Sequence, residues 1–171
     1  MRILFLINKH YYKRKIARFR FHNMKAIGNL VTVDWWGIGW NGYDHNLTVQ
    51  KNLEILENKP DLIVTYKPLE MKEFKSVNVP KCLIYNEMYD FDYTKKEIID
   101  TGAELVICHF INAIPPYQEY FKEKVKFVHI PHGIEKTIFK DYKLPKKTSI
   151  SLVAGFKQTG HPLKRKLISL L

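Results

Sequence analysis

Asn8, Lys9 and His10 follow an apolar run at residues 3–7, and Trp35 and Trp36 close the run "LVTVDWW". Tyr66 and Lys67 end "DLIVTYK", and Asn86 and Glu87 end "KCLIYNE". His109 sits near the end of "ELVICHF", and His132 and Gly133 follow "FVHIP". Spread along the chain, these residues form no local motif. They become a site if the runs are neighbouring strands that point the same way, because ligands of open α/β sheets bind beyond the carboxyl ends of the strands. The residue types suit a sugar. Aromatic faces at Trp36 and Tyr66 would cover its C–H faces, and Asn8, Asn86, Glu87, His109 and His132 would satisfy its hydroxyls. The plain alternative is that polar residues mark strand ends by default, so that any one tip by itself carries little.

Several other chemistries lack their residues. The turn after the first run, "INKHYYKRK", has no glycine, so the dinucleotide fingerprint is missing. No GxxxxGK[ST], HExxH or GxSxG pattern occurs, and the two cysteines, Cys82 and Cys108, form no paired cluster, so no metal is expected. Residues 13–20, "KRKIARFR", hold five basic residues and no acid at the start of a helical stretch. Positive charge there opposes the helix dipole. A bound anion would relieve it, and solvated side chains lying over the sheet would explain it equally well. Tyr11, Tyr12, Phe19 and Phe21 interleave with these charges and also permit nucleic-acid contact.

The elements that must position these residues follow from periodicity. Strands are expected at residues 3–7, 30–36, 61–66, 80–87, 104–110 and 125–131. A helix at 13–28 has Ile16, Phe19, Met24 and Ile27 at helical spacing, with Gly28 as its stop. Val49, Leu53 and Leu56 line a second helix that ends before Pro60. Thr94–Glu97 has capping-box spacing and opens a third, which Gly102 closes. Pro115-Pro116 starts a fourth. Continuously apolar strands alternating with helices predict a parallel sheet buried on both faces, an α/β, Rossmann-like, doubly wound domain. Residues 1–143 are expected to form that domain. The polar linker "KDYKLPKKTS" then leads to one further strand and helix, so residues 144–171 read as the start of a second domain, or as an extra layer on the first.

Composition bounds the partners. The chain has 171 residues, 46% hydrophobic and 26% charged, which is globular. The cysteines lie in apolar runs and read as reduced core thiols of a cytoplasmic protein. No run approaches the ~20 residues of a membrane span, and the start lacks the longer apolar run of a signal peptide. The net charge of +11 admits a phosphate-bearing ligand, a nucleic acid or an anionic surface, and also a simple Lys-rich bias.

One longer pattern joins these pieces. Ile130-Pro131-His132-Gly133-Ile134, then Phe139, a linker, a strand with Gly155 and a helix with Arg165, resembles the interdomain crossover of GT-B glycosyltransferases. "KPDLIVTY" and "GAELVICHF" are similar to that family's third-strand and fifth-strand phrases. The resemblance implies an N-terminal, acceptor-side domain that works with a nucleotide-sugar as donor substrate, a sugar or polymer as acceptor, and no other cofactor. Where many members carry a histidine after the fourth strand, this chain has Asn86-Glu87. Glu87 and His109 are therefore the candidate catalytic residues, with Glu87 as base for an acceptor hydroxyl or simply solvated. Asn8, Lys9, His10, Trp36, Tyr66, Asn86, His132 and Gly133 are the candidate substrate-binding set. The competing reading is a nucleic-acid or polyanion binding module of the same fold without catalysis.

Overall fold

The computed structural model describes residues 1–10, 18–66, 71–85, 88, 90–131, 133 and 145, and for residues 18–22 the backbone alone. Lys67, Asn86, Glu87, His132, Ile134, Phe139, Gly155, Arg165 and the basic residues at 13–15 lie outside the described residues. The chain divides into two units, Met1–Glu135 and Lys136–Leu171. All the described strands and helices belong to the first.

Six parallel strands make one sheet. They are β1 (Arg2–Leu6), β2 (Thr32–Trp36), β3 (Leu62–Thr65), β4 (Lys81–Tyr85), β5 (Leu105–Cys108) and β6 (Lys126–His129). Their order across the sheet is β2-β1-β3-β4-β5-β6. The described helices are α1 (Arg18–Ile27), α2 (Val49–Ile55), α3 (Phe91–Thr101) and α4 (Pro115–Phe121). The fold is α/β and Rossmann-like, as the apolar strands predict.

Successive side chains of a strand point to opposite faces, and the core divides accordingly. Ile3, Phe5 and Ile7 pack with Met24 of α1. Leu4 and Leu6 pack with Val49 and Leu53 of α2. Leu83, Tyr85, Val106 and Cys108 pack with Ile98 of α3 and with Tyr117 and Phe121 of α4. Right-handed crossovers explain the sides: the step from β1 to β2 runs one way along the sheet, and the steps to β3 and beyond run the other. Cys82 and Cys108 are both free and buried, and fall in cores on opposite faces.

One helix start differs from expectation. α3 starts at Phe91, where Asp90 is the N-cap and its carboxylate accepts from Tyr93 N at 2.9 Å. Thr94 and Glu97 are not a capping box. Both are buried, and Glu97 accepts a hydrogen bond from the Tyr85 hydroxyl at the end of β4. Core packing thus claims the pair that local spacing assigns to a cap. Gly102 closes α3 as expected, at φ +63° with its N–H on Ile98 and Ile99 carbonyls. Gly28 follows the end of α1 without entering the left-handed region, and its N–H continues the helical pattern to Met24 O at 2.9 Å.

Candidate functional site

The strand order reverses direction between β1 and β3, so the crevice beyond the ends of these two strands is the switch point where such sheets bind ligands. Beyond β1 the chain keeps pairing with the β2 side. Ile7 N donates to Trp36 O and Lys9 N to Ile38 O, both at 2.9 Å. Asn8 then accepts from His10 N at 2.9 Å, as an N-cap does, at the start of a helical turn.

The loop after β2 folds back over this tail. Gly37 makes that approach possible. It sits at φ +133°, and a Cβ built there would lie 2.7 Å from the Ile7 carbonyl oxygen. Trp40, three residues on, donates its indole N–H to the same carbonyl at 3.1 Å. The Lys9 ammonium stands 5.3 Å from the centroid of the Trp40 ring, a cation–π pair. The end of β1, on its β2 side, therefore carries a half-buried Trp, a half-buried Lys and the polar Asn8, with His10 exposed beside them.

The other expected aromatics lie inside. Trp36 is 9% exposed, packs with Leu4 and Leu6, and donates its indole N–H to Asn41 O at 3.0 Å. Tyr66 is 4% exposed, with its ring edge-on to Phe5 at 5.8 Å. Neither presents a ring face to the crevice. Trp40 is half-buried, with the Lys9 ammonium over its ring, and it stands in the Gly-rich loop "GIGWNG", where its setting among glycines is the available signal.

At the far end of the rim, His109 is buried. Its Nδ1 is 2.7 Å from Ile130 O. A carbonyl accepts only, so Nδ1 carries the proton, and Nε2 lies buried. In this arrangement the imidazole braces β5 against the chain leaving β6. His129 Nε2 meets the His109 carbonyl at 3.3 Å from the neighbouring strand. Gly133 is exposed, with open space around it. Met88 is held from α4, where the buried Tyr117 hydroxyl donates to its carbonyl at 3.2 Å. Burial raises the Tyr117 pKa and keeps that donor protonated.

Among the described residues, no group of three or more His, Cys, Asp or Glu could hold a metal, and no helix is long and apolar enough to cross a membrane. Burial pushes the Cys82 thiol up to about 12 and raises that of Cys108, so neither is a nucleophile near neutral pH.

Comparison of the chain with protein families, with curated proteins and with solved structures finds no match. Any functional reading therefore rests on the residues and the geometry.

Proposed function

We propose that this domain is the acceptor-side part of a GT-B-type glycosyltransferase that uses a nucleotide-sugar donor in the cytoplasm. The observation that carries the reading is the Lys9–Trp40 pair beyond the end of β1, 5.3 Å from ammonium to ring. A half-buried aromatic ring with an ammonium over it, next to the polar Asn8, suits a ligand with sugar hydroxyls and phosphate charge. The crossover-like "IPHGI" after the sixth strand supports the same reading.

In the reaction, an acceptor hydroxyl oxygen forms a bond to the anomeric carbon of the donor. The bond to the diphosphate breaks, and the nucleoside diphosphate leaves with the electron pair. Glu87 takes the hydroxyl proton, and Lys9 offsets phosphate charge. In this reading the nucleotide binds mainly to a second domain, and the sheet domain supplies the acceptor side.

The test is calorimetry and product assay on the full chain with UDP- and GDP-sugars and free sugars, using Lys9→Ala and Trp40→Ala. Millimolar sugar binding that Trp40→Ala removes is the expected result. Sugar binding indifferent to both substitutions would exclude the site. The +11 charge favours a second reading, a polyanion-binding module. Its signature is a steep fall in DNA or RNA affinity with salt and no response to sugars.

A further inference from the structure

We infer that a cavity between α3 and the turn that precedes β4 binds a small organic cation, a primary ammonium on an apolar stem, through the carboxyl of Glu97. The inference involves other residues than the sugar-site reading and stands or falls apart from it. Alternation along the strands places the cavity. Ile63 and Thr65 point to one face of the sheet, and the pairing of Thr65 with Leu83 puts Leu83 and Tyr85 on the same face. Two separate apolar clusters cover that face. One joins Ile63 and Phe74 to α2, and the other joins Leu83 and Tyr85 to α3 and α4. Phe74 opens a single helical turn, Phe74–Ser76, that packs beside α3. On α3, Tyr93, Glu97 and Thr101 recur every four residues and so share one side of the helix. All three line the cavity.

Buried polar side chains on this face have partners, with one exception. Lys81 Nζ donates to Val77 O at 2.7 Å, and Thr101 Oγ1 donates to Glu97 O at 2.8 Å. Glu97, only 5% exposed, is half satisfied. Its Oε2 accepts from the Tyr85 hydroxyl. Burial, and after it the bond to Glu97, raise the Tyr85 pKa, so that hydroxyl keeps its proton and remains the donor. Glu97 Oε1 has no hydrogen-bond partner among the described residues. A buried acceptor left unpaired costs the full desolvation of that group, which is why such atoms are rare in native proteins. A ligand donor reaching Oε1 from the cavity removes that cost.

The walls select the donor. The cavity has a volume of about 330 Å³, at the small end of the range of about 300–1,000 Å³ that ligand pockets span. Met71, Phe74 and Tyr93 give it an apolar side that suits an alkyl stem. Of the charged groups around it, Lys96 pairs with Asp100, which sets Glu73 and Glu97 against Lys75. The balance is acidic although the chain as a whole carries +11. An anion would meet Glu97 head on. A neutral hydroxyl could fill Oε1, but a bond in which the donor is charged is about twice as strong. An ammonium group carries three N–H donors, enough for Oε1 and for a second acceptor such as Glu73.

The experiment titrates the full chain at neutral pH with three probes of one shape and different charge: hexylammonium, hexanol and hexanoate. Calorimetry gives the affinity, and NMR shifts of the Tyr93, Glu97 and Thr101 amides give the place. The variants are Glu97→Gln, which keeps the volume and an acceptor for Tyr85, and Tyr93→Ala, which removes a half-exposed wall and leaves the core alone. Hexylammonium should bind about tenfold more tightly than hexanol, the difference between a charge-assisted and a neutral hydrogen bond, and hexanoate should not bind. Glu97→Gln should erase that preference, and Tyr93→Ala should weaken hexylammonium and hexanol alike. Equal affinity for hexylammonium and hexanol would overturn the assignment of a cation. Undiminished preference in Glu97→Gln, or shifts confined to other residues, would overturn the site. Should Glu97→Gln fail to fold, the wild-type probe series and Tyr93→Ala decide. No binding of any probe would overturn the inference and leave Oε1 to solvent, with the sugar-site reading untouched.

Discussion

Gly37→Ala should unseat the loop that carries Trp40. Two costs add. The backbone at φ +133° is one that L side chains rarely adopt, and holding a residue in such a region costs about 1–3 kcal/mol. The new Cβ would also meet Ile7 O at 2.7 Å and Ile7 N at 3.1 Å. Neither atom can give way cheaply, because Ile7 N is bonded to Trp36 O at 2.9 Å and Ile7 O accepts from the Trp40 indole. Crowding of this kind costs about 1–3 kcal/mol. Taking about 3 kcal/mol for the sum, a chain of this size should lose about 6–12 °C in Tm. Gly42→Ala is the control. It also has positive φ, +77°, but nothing lies within 4 Å of its Cβ. It should lose about 1 kcal/mol, the conformational share alone. The assay is urea unfolding followed by tryptophan emission, with circular dichroism as a second probe. Equal losses in the two variants would refute the reasoning, because the close approach of the loop to β1 would then be absent in solution. If the loop is displaced while the fold survives, sugar binding should fall with it.

Tyr85→Phe leaves the buried Glu97 carboxyl without its hydroxyl donor, and should destabilise by about 1–3 kcal/mol in urea unfolding. Asp90→Ala removes the cap of α3 and should cost about 1 kcal/mol. Both thiols should resist a disulfide reagent at pH 8 in the native protein and react in urea, because both are buried. Cys82 also sets a pH dependence. Its folded pKa of about 12 lies above the ordinary thiol value of 9.0, so the folded state favours the neutral thiol. The stability it contributes is complete below pH 9 and is lost as pH rises from there towards 12. Cys82→Ala should flatten that alkaline decline in pH-dependent unfolding, and an unchanged decline would point to other groups.

The sheet is legible in the sequence because strands covered on both faces have no reason to alternate, and "ILFL", "LIVT" and "CLIY" show this directly. Which residue starts α3 is not legible. Thr94 and Glu97 have the spacing of a cap, yet their side chains are buried among tertiary partners that no local window contains. The site is half legible. Asn8 and Lys9 stand out because they follow β1 directly. The paired tryptophans mislead for a reason of parity: Trp35 and Trp36 point to opposite faces, and each joins the core on its side. The half-buried ring at Trp40, beyond the end of β1, is positioned by a glycine-dependent fold-back that periodicity does not encode.

The order of the strands also governs how the unit comes together. β4, β5 and β6 each pair with the strand made just before, as Cys82 with Leu105 and Leu105 with Lys126. The pairing of β1 with β3 joins Ile3 to Leu62, across the whole of β2 and its connections. Closing that longer loop costs about 1 kcal/mol more in chain entropy. The proposed site lies at the β1 end of this seam. Amides along β1 and β3 should then report, through hydrogen exchange, the opening that a ligand in the crevice would suppress, which makes binding there a clamp on the assembly of the sheet itself.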